Sequence, residues 1–370
     1  MRCWTVVSRL FLALSLLPAV AWVGADVYRR RHRRAGWSGP LVPSLAALST
    51  LGVAVALSWW AGANALGLAH LAYLVITVGI PLIAAWVVAA ELSRGRRARV
   101  LPAVGAGCLG GLLVAVGVYG THIEPFRLTV ERAELDVDGV EAATVEIGVY
   151  ADPHMAGMTE HERDAWERLL AEGPDLVLLP GDIFTAPFDL VRSDVPAFRQ
   201  MLVDSGIPVL AVAGDHDQLA TLRWMARGTE VGVLENQVAV LSQGGVTVAV
   251  AGLDRDLDPV RARSVLDELS TTDADVRLVL AHDPSAVNLV GPDHAVDLVV
   301  AGDTHGGQVR LPLLGPLVNT ADVPDRVALG GLHVVEGSPL YVSRGVGVAR
   351  GQAPQVRLGA PPAVDVLTLR

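Results

Sequence analysis

Hydrophobic patterning divides the chain near residue 120. Before that point lie four apolar segments, at roughly 6–27, 41–61, 66–90 and 100–119. Each approaches the roughly 20 residues that a helix needs to cross a bilayer. One such segment alone could be a buried helix of a soluble domain. Four in succession, with charged loops after the first and third, read as an all-α transmembrane region of about four helices over 1–120. Beyond residue 120 the apolar runs shorten. The alternating stretch 126–137 predicts a first strand, and 145–150, 175–179 and 208–213 predict further ones. Helices are expected over 160–171, 195–203 and 259–269. The runs 231–241 and 246–251 read as a hairpin around Gly244-Gly245. Strands at 276–280, 296–300, 340–343 and 364–369 complete the pattern. Strands alternating with helices make the second part, 121–370, α/β.

Charge orients the first part. The loop after the first segment carries Arg29, Arg30, Arg31, Arg33 and Arg34, and the loop after the third carries Arg94, Arg96, Arg97 and Arg99. Between the second and third segments, residues 62–65 carry no charge. Positive loops stay in the cytoplasm. The fourth segment then leads outward, which makes this a multi-pass protein of the cell membrane with an extracytoplasmic soluble part. The first segment reads as a span and not as a cleaved signal, because the basic run behind it would otherwise have to cross. Gly107 and Gly111 form a small-xxx-small pair in the fourth segment, a spacing that favours close helix packing.

The second part is acidic. Up to Gly120 there are eleven Arg against Asp26 and Glu91, a balance of +9; with a whole-chain charge of −10, the remainder carries −19. That balance argues against nucleic acid as a partner, which would need a basic face. It suits a domain that holds cations. Cys3 and Cys108 both lie in the apolar part, so the soluble part can build neither a thiolate metal site nor a disulfide.

Candidate chemistry sits at the ends of the predicted strands. The run Val209–Ala213 stops at Gly214 and is followed by Asp215, His216 and Asp217. The same arrangement recurs: Asp152 and His154, then Asp182, His282, and finally Asp303 and His305. Any one of these could be a turn residue. Carboxylates and imidazoles delivered by five strand ends suit a site for two divalent metals, which can bind both oxygens of a phosphoryl displacement and activate a water. Other polar residues read as structural: His161 as solvated on a charged helix, His294 and His333 as surface. Arg344 reads either as a phosphate-binding cation or as half of an ion pair.

In order, DPH (152–154), GD (181–182), GDHD (214–217), His282 and GDTH (302–305) resemble the signature of the calcineurin-like metallophosphoesterases. The trailing GGQ (306–308) and YVSRGVG (341–347) look like the membrane-attached, exported bacterial branch of that family. The resemblance covers roughly residue 123 to the end. It implies a four-layer αββα sandwich and a hydrolase for a phosphomonoester or phosphodiester substrate, one that could be lipid- or envelope-linked. It also implies two divalent ions (Mn, Mg, Fe or Zn). Asp152, His154, Asp182 and His305 would hold the first ion, and Asp182, Asp215, His282 and Asp303 the second. His216 would protonate the leaving oxygen and Asp217 would orient it. Two positions depart from the family pattern: Asp215 stands where the family has Asn, and Asp303 where it has His. Four carboxylates against two dications leave the site formally neutral and favour hard ions such as Mn²⁺ or Mg²⁺. The alternative is a weakened or inactive domain of this type, serving as a membrane sensor or binding module.

Overall fold

The computed structural model describes residues 65–92 and 100–370, apart from 139, 141–143, 186–194, 244, 292, 312, 314 and 351–352. The predicted spans at 6–27 and 41–61, and both arginine-rich loops, lie outside the described residues. The chain divides into two compact units, Met1–Thr121 with Arg350–Gln355, and His122–Ala349 with Val356–Arg370.

Among the described residues, two helices are long and apolar enough to cross a membrane, Leu66–Leu92 and Val100–Phe126. The first consists of α1 (Ala65–Leu74), a π-helical turn at Val75–Gly79, and α2 (Ile80–Leu92). The second begins as α3 (Val100–Val118). Their contact runs through small residues. A Cβ on Gly110 would meet that of Ala84 at 2.9 Å, and one on Gly107 would meet Val88 at 3.6 Å. Among the described residues nothing approaches Gly111, so the contact between these two helices uses Gly107 with Gly110 rather than Gly107 with Gly111. One residue of helical phase, about 100°, separates the two readings.

The second unit contains two six-stranded sheets. The first has the order β1 (Thr129–Leu135), β14 (Ala363–Leu369), β2 (Val145–Val149), β3 (Leu176–Leu179), β4 (Val209–Ala211), β5 (Val231–Val233). The second has the order β12 (Gly331–Val335), β13 (Ser338–Val342), β9 (Leu298–Ala301), β8 (Val276–Leu280), β7 (Val246–Gly252), β6 (Gln237–Gln243). A short hairpin, β10 (Arg310–Leu311) with β11 (Gly315–Pro316), follows β9. The two sheets face one another across one apolar layer, where Ile147, Leu178 and Leu210 meet Val248, Leu278 and Val300. The outer face of the first sheet is covered by α4 (Glu160–Ala171), α5 (Val195–Asp204) and α6 (Leu219–Ala226), through Trp166, Phe198 and Leu222. That of the second is covered by α7 (Pro259–Thr271), through Val265 and Leu269. The order of layers is therefore helix, sheet, sheet, helix. Leu176 to Leu179 are all solvent-free, as expected of a strand buried on both faces.

Most predicted elements recur within a residue or two. The hairpin at 231–251 recurs around residues 244–245, with Gln237–Gln243 paired to Val246–Gly252, but its predicted first arm is too long. Its first arm is two strands in different sheets: β5 pairs with β4, while β6 pairs with β7. The chain crosses between sheets at Leu234 to Asn236, where Asn236 takes φ 53°. The polar run Glu235-Asn236-Gln237 marks the crossing, but a polar break does not by itself assign the strands on either side of it to different sheets.

Candidate metal centre

The strands β2, β3, β4, β8 and β9 run parallel within their sheets, and their C-terminal ends carry the predicted residues. The ligand atoms of four groups approach within 4.8 Å of one another: Asp152, His154 and His305; His154, Asp182 and His216; Asp152, Asp182 and His282; Asp215, His282 and Asp303. All eight residues are therefore gathered at one sheet edge. Asp152, His154, Asp182, His282 and His305 are buried, whereas Asp215 and His216 are exposed.

Backbone geometry produces this convergence. Asp152, His154, Asp182, Asp303 and His305 all take positive φ, between 48° and 67°. Such conformations are costly for residues with a Cβ and cluster at functional sites. Close approach is allowed where a side chain is missing: a Cβ on Gly302 would stand 2.5 Å from Asp152 Oδ2, and one on Gly214 would collide with Asp182 Oδ1.

The donor set fits divalent cations. His154 Nε2 lies 2.9 Å from His305 Nε2 and 3.5 Å from Asp182 Oδ2. His282 Nε2 lies 3.6 Å from both Asp182 Oδ2 and Asp303 Oδ1. It is buried and has no hydrogen-bond partner. His282 Nδ1 donates to the Pro180 carbonyl at 2.8 Å, so Nε2 faces the carboxylates, as an N–H when the ring is protonated and as a lone pair once it gives up that proton to a cation. Electrostatics agree. Burial raises the Asp152 carboxyl well above the ordinary range, and the charges of Asp182 and Asp303 add to this. Burial, with Asp283, Asp182 and Asp215, pushes Asp303 up to about 6. Burial alone would depress His282, but the carboxylates of Asp182, Asp152 and Asp303 reverse this and take it to about 10. Buried carboxylates gathered without balancing charge call for cations.

Around this centre the residues separate by role. The His216 amide donates to Asp182 Oδ1 at 2.8 Å, and its ring packs edge-on to that of His154. Asp217 departs from expectation. Its carboxylate accepts from the amides of Ile183 (3.2 Å), Phe184 (2.9 Å) and Gly214 (3.0 Å), not from the His216 ring. It therefore pins the β3 and β4 loops together, with burial holding its pKa up at about 6. Arg344 is an ion-pair residue, bound to Glu131 at 2.5 Å and to Thr129 Oγ1 at 3.1 Å. His161 is not merely solvated, because its Nε2 lies 3.0 Å from the Val346 carbonyl. His294 is nearly buried against Asp267, and His333 meets the Gly330 carbonyl.

Arg357 has no counterpart in the sequence reading. Its guanidinium is fully buried. It donates to the carbonyls of Arg344 (2.8 Å), Gly345 (3.0 Å), Gly347 (2.8 Å), Ala360 (3.0 Å) and His305 (3.3 Å), and lies 3.3 Å from His305 Nδ1. Burial lowers its pKa to about 9. One arginine in a Gly- and Pro-rich tail of an all-arginine basic complement carries no local signal of this role.

Comparison with known proteins agrees with this geometry. Residues 145–307 match the family model described as calcineurin-like phosphoesterase. The chain is similar to the uncharacterized metallophosphoesterase YkuE of Bacillus subtilis, at 28% identity over 70% of this chain and 92% of that protein. It is similar to the phosphodiesterase YaeI of Escherichia coli, at 29% identity over 68% of this chain and 92% of that protein. A third relative is the uncharacterized protein YpbG of Bacillus subtilis, at 26% identity over 56% of this chain and 75% of that protein.

Proposed function

We propose, on the premise that this chain belongs to the calcineurin-like phosphoesterase family, that it is a membrane-anchored hydrolase of a phosphomonoester or phosphodiester. Residues 1–120 form the multi-pass anchor, and 121–370 form the catalytic domain, on the extracytoplasmic side. The observation that carries this reading is the gathering of Asp152, His154, Asp182, Asp215, His282, Asp303 and His305 at one sheet edge. Two apolar helices directly ahead of the domain support the anchor. The arginine-rich loops at 29–34 and 94–99 support the orientation.

Two divalent cations bound by these residues supply positive charge for the phosphate oxygens and lower the pKa of a water. The chain's own residues do the rest. Asp182 belongs to both halves of the donor set and would be a ligand shared by the two ions. Pro180 fixes the His282 tautomer, and Arg357 holds the backbone and ring of His305. His216, exposed at the rim with its amide anchored on Asp182, delivers a proton to the leaving oxygen. Asp217 acts through the loops and sets where His216 begins. Asp215 and Asp303 enrich the second half in oxygen, which favours Mn²⁺ or Mg²⁺ over Zn²⁺.

The same two carboxylates support a second reading, a domain that binds metal without turnover, because a formally neutral ligand set attracts a phosphate dianion less. The name of the relative YaeI makes a diester the first substrate to test. Purified full-length protein in detergent is assayed with bis(p-nitrophenyl) phosphate and Mn²⁺, Mg²⁺ or Zn²⁺. Turnover is expected with Mn²⁺, and His216→Ala should lower kcat by about 10²-fold. No turnover with any metal leaves the binding module. A reporter fused after Arg370 that works only in the cytoplasm would overturn the orientation.

A further inference from the structure

The course of the first sheet fixes where the chain enters the catalytic unit. β2 runs toward the metal edge, since Asp152 follows it. β14 is antiparallel to β2, with Asp365 opposite Val149, so β14 starts at that edge. β1 is parallel to β14, with Thr129 opposite Ala363. β1 therefore also starts at the metal edge. The apolar helix Val100–Phe126 ends three residues before Thr129. Hydrogen bonds tie this segment to the β10–β11 hairpin behind His305. The Ala360 amide donates to Glu124 Oε1 at 2.7 Å, Leu358 exchanges backbone bonds with Gln308 and Arg310, and Arg310 Nε donates to the Gly306 carbonyl at 2.7 Å.

This edge exposes apolar side chains. Phe126 is 62% exposed, Leu317 56%, and Leu313 entirely so. At the opposite edge, the turn leading into β8 exposes Thr271, Asp273 and Asp275, and the large apolar side chains Val203 and Val334 are exposed there. Phe126 at the chain's entry and Leu313 and Leu317 in the hairpin after His305 offer large apolar side chains for docking. The occupant follows from chain continuity. Val100–Phe126 also exposes Leu101, Leu109 and Leu112, which is the surface of a helix solvated by lipid.

We propose that the metal edge, through Phe126, Leu313 and Leu317, docks on a lipid bilayer, and that the substrate is a phosphate ester of an amphiphile resident in that bilayer. The substrate half rests on the phosphoesterase reading; the docking half does not. In the reaction, water adds across the P–O ester bond: its hydroxyl goes to phosphorus and its proton to the leaving alkoxide.

Two measurements on the full chain in phosphatidylcholine nanodiscs test the two halves separately. For docking, nitroxide labels are placed by Leu313→Cys and, at the opposite edge, by Asp273→Cys, with Cys3 and Cys108 replaced by Ala. The Leu313 label should be shielded from a water-soluble nickel relaxant and open to oxygen, and the Asp273 label the reverse. Equal nickel access at both sites overturns docking, and a Leu313 label shielded from both reagents puts a protein there and overturns the lipid. For substrate, hexadecyl p-nitrophenyl phosphate in the nanodisc is compared with soluble bis(p-nitrophenyl) phosphate. Its kcat/KM should be at least tenfold higher. Leu313→Ser with Leu317→Ser should erase that preference and leave the soluble diester unchanged. Turnover without preference overturns the substrate class. Turnover of neither diester overturns the phosphoesterase reading, and the labels still decide docking.

Discussion

Asp365 shows how burial sets the chemistry of a single residue. It lies solvent-free in β14, and its carboxylate accepts from Tyr341 Oη at 3.0 Å and Ser343 Oγ at 2.5 Å. Burial pushes its pKa up to about 7, although both hydrogen bonds pull the other way. An unfolded Asp titrates near pH 3.9, so the folded state holds the proton more tightly. The stability this contributes is fully present below about pH 4 and is lost as the pH rises through about 7. Asp365→Asn removes the titration. Thermal melts of the two proteins should therefore diverge between pH 4 and pH 7, with wild type losing ground as pH rises; parallel curves would mean that Asp365 is not titrating there. The gathering of the candidate metal ligands at one sheet edge was legible in the sequence because each motif pairs an acid or His with a strand end. Arg357 was not. Its role comes from carbonyls at 305, 344, 345, 347 and 360, which only the folded chain brings together.

At the scale of elements, the loops after the strands carry the site, while the strands and helices only aim them. Two substitutions should separate these functions. Gly302→Ala places a methyl group against Asp152 Oδ2. It should weaken Mn²⁺ binding at least tenfold by isothermal titration, because the carboxylate must turn away. Thr159→Ala acts elsewhere. Thr159 caps α4, accepting from the His161 amide at 3.2 Å, while Glu162 accepts from the Thr159 amide at 2.8 Å. Its loss should cost about 1 kcal/mol of stability and leave the Mn²⁺ affinity unchanged. This capping pattern, and the solvent-free strands β3 and β8, are local properties, and local patterning reveals them. The division of 231–241 between two sheets, the two-residue strands β10 and β11, and the edge strand β12 depend on partners remote in sequence. Patterning alone does not reach them.

For the second unit as a whole, the two sheets close on one apolar layer but converge on a charged edge. Burial and the neighbouring Asp182 charge raise the cost of ionising both Asp152 and Asp303 there, so the fold carries an electrostatic load at the place where its loops meet. A bound cation relieves that load in the folded state and has no such cluster to bind in the unfolded chain. Stability should therefore be linked to metal. At a free Mn²⁺ concentration of a hundred times Kd, linkage contributes about 2.7 kcal/mol, which for a domain of this size is a rise of roughly 5–10 °C in Tm. Melting the full chain in detergent with chelator, then with Mn²⁺ restored, should show that interval. Asp182→Asn should abolish it, because Asp182 joins both halves of the donor set. An interval that survives in Asp182→Asn would place the stabilising ion elsewhere. The absence of any interval in the wild-type chain would mean that the carboxylates are neutralised by protons and by His282 alone, and that the edge is built to tolerate its own charge rather than to capture metal.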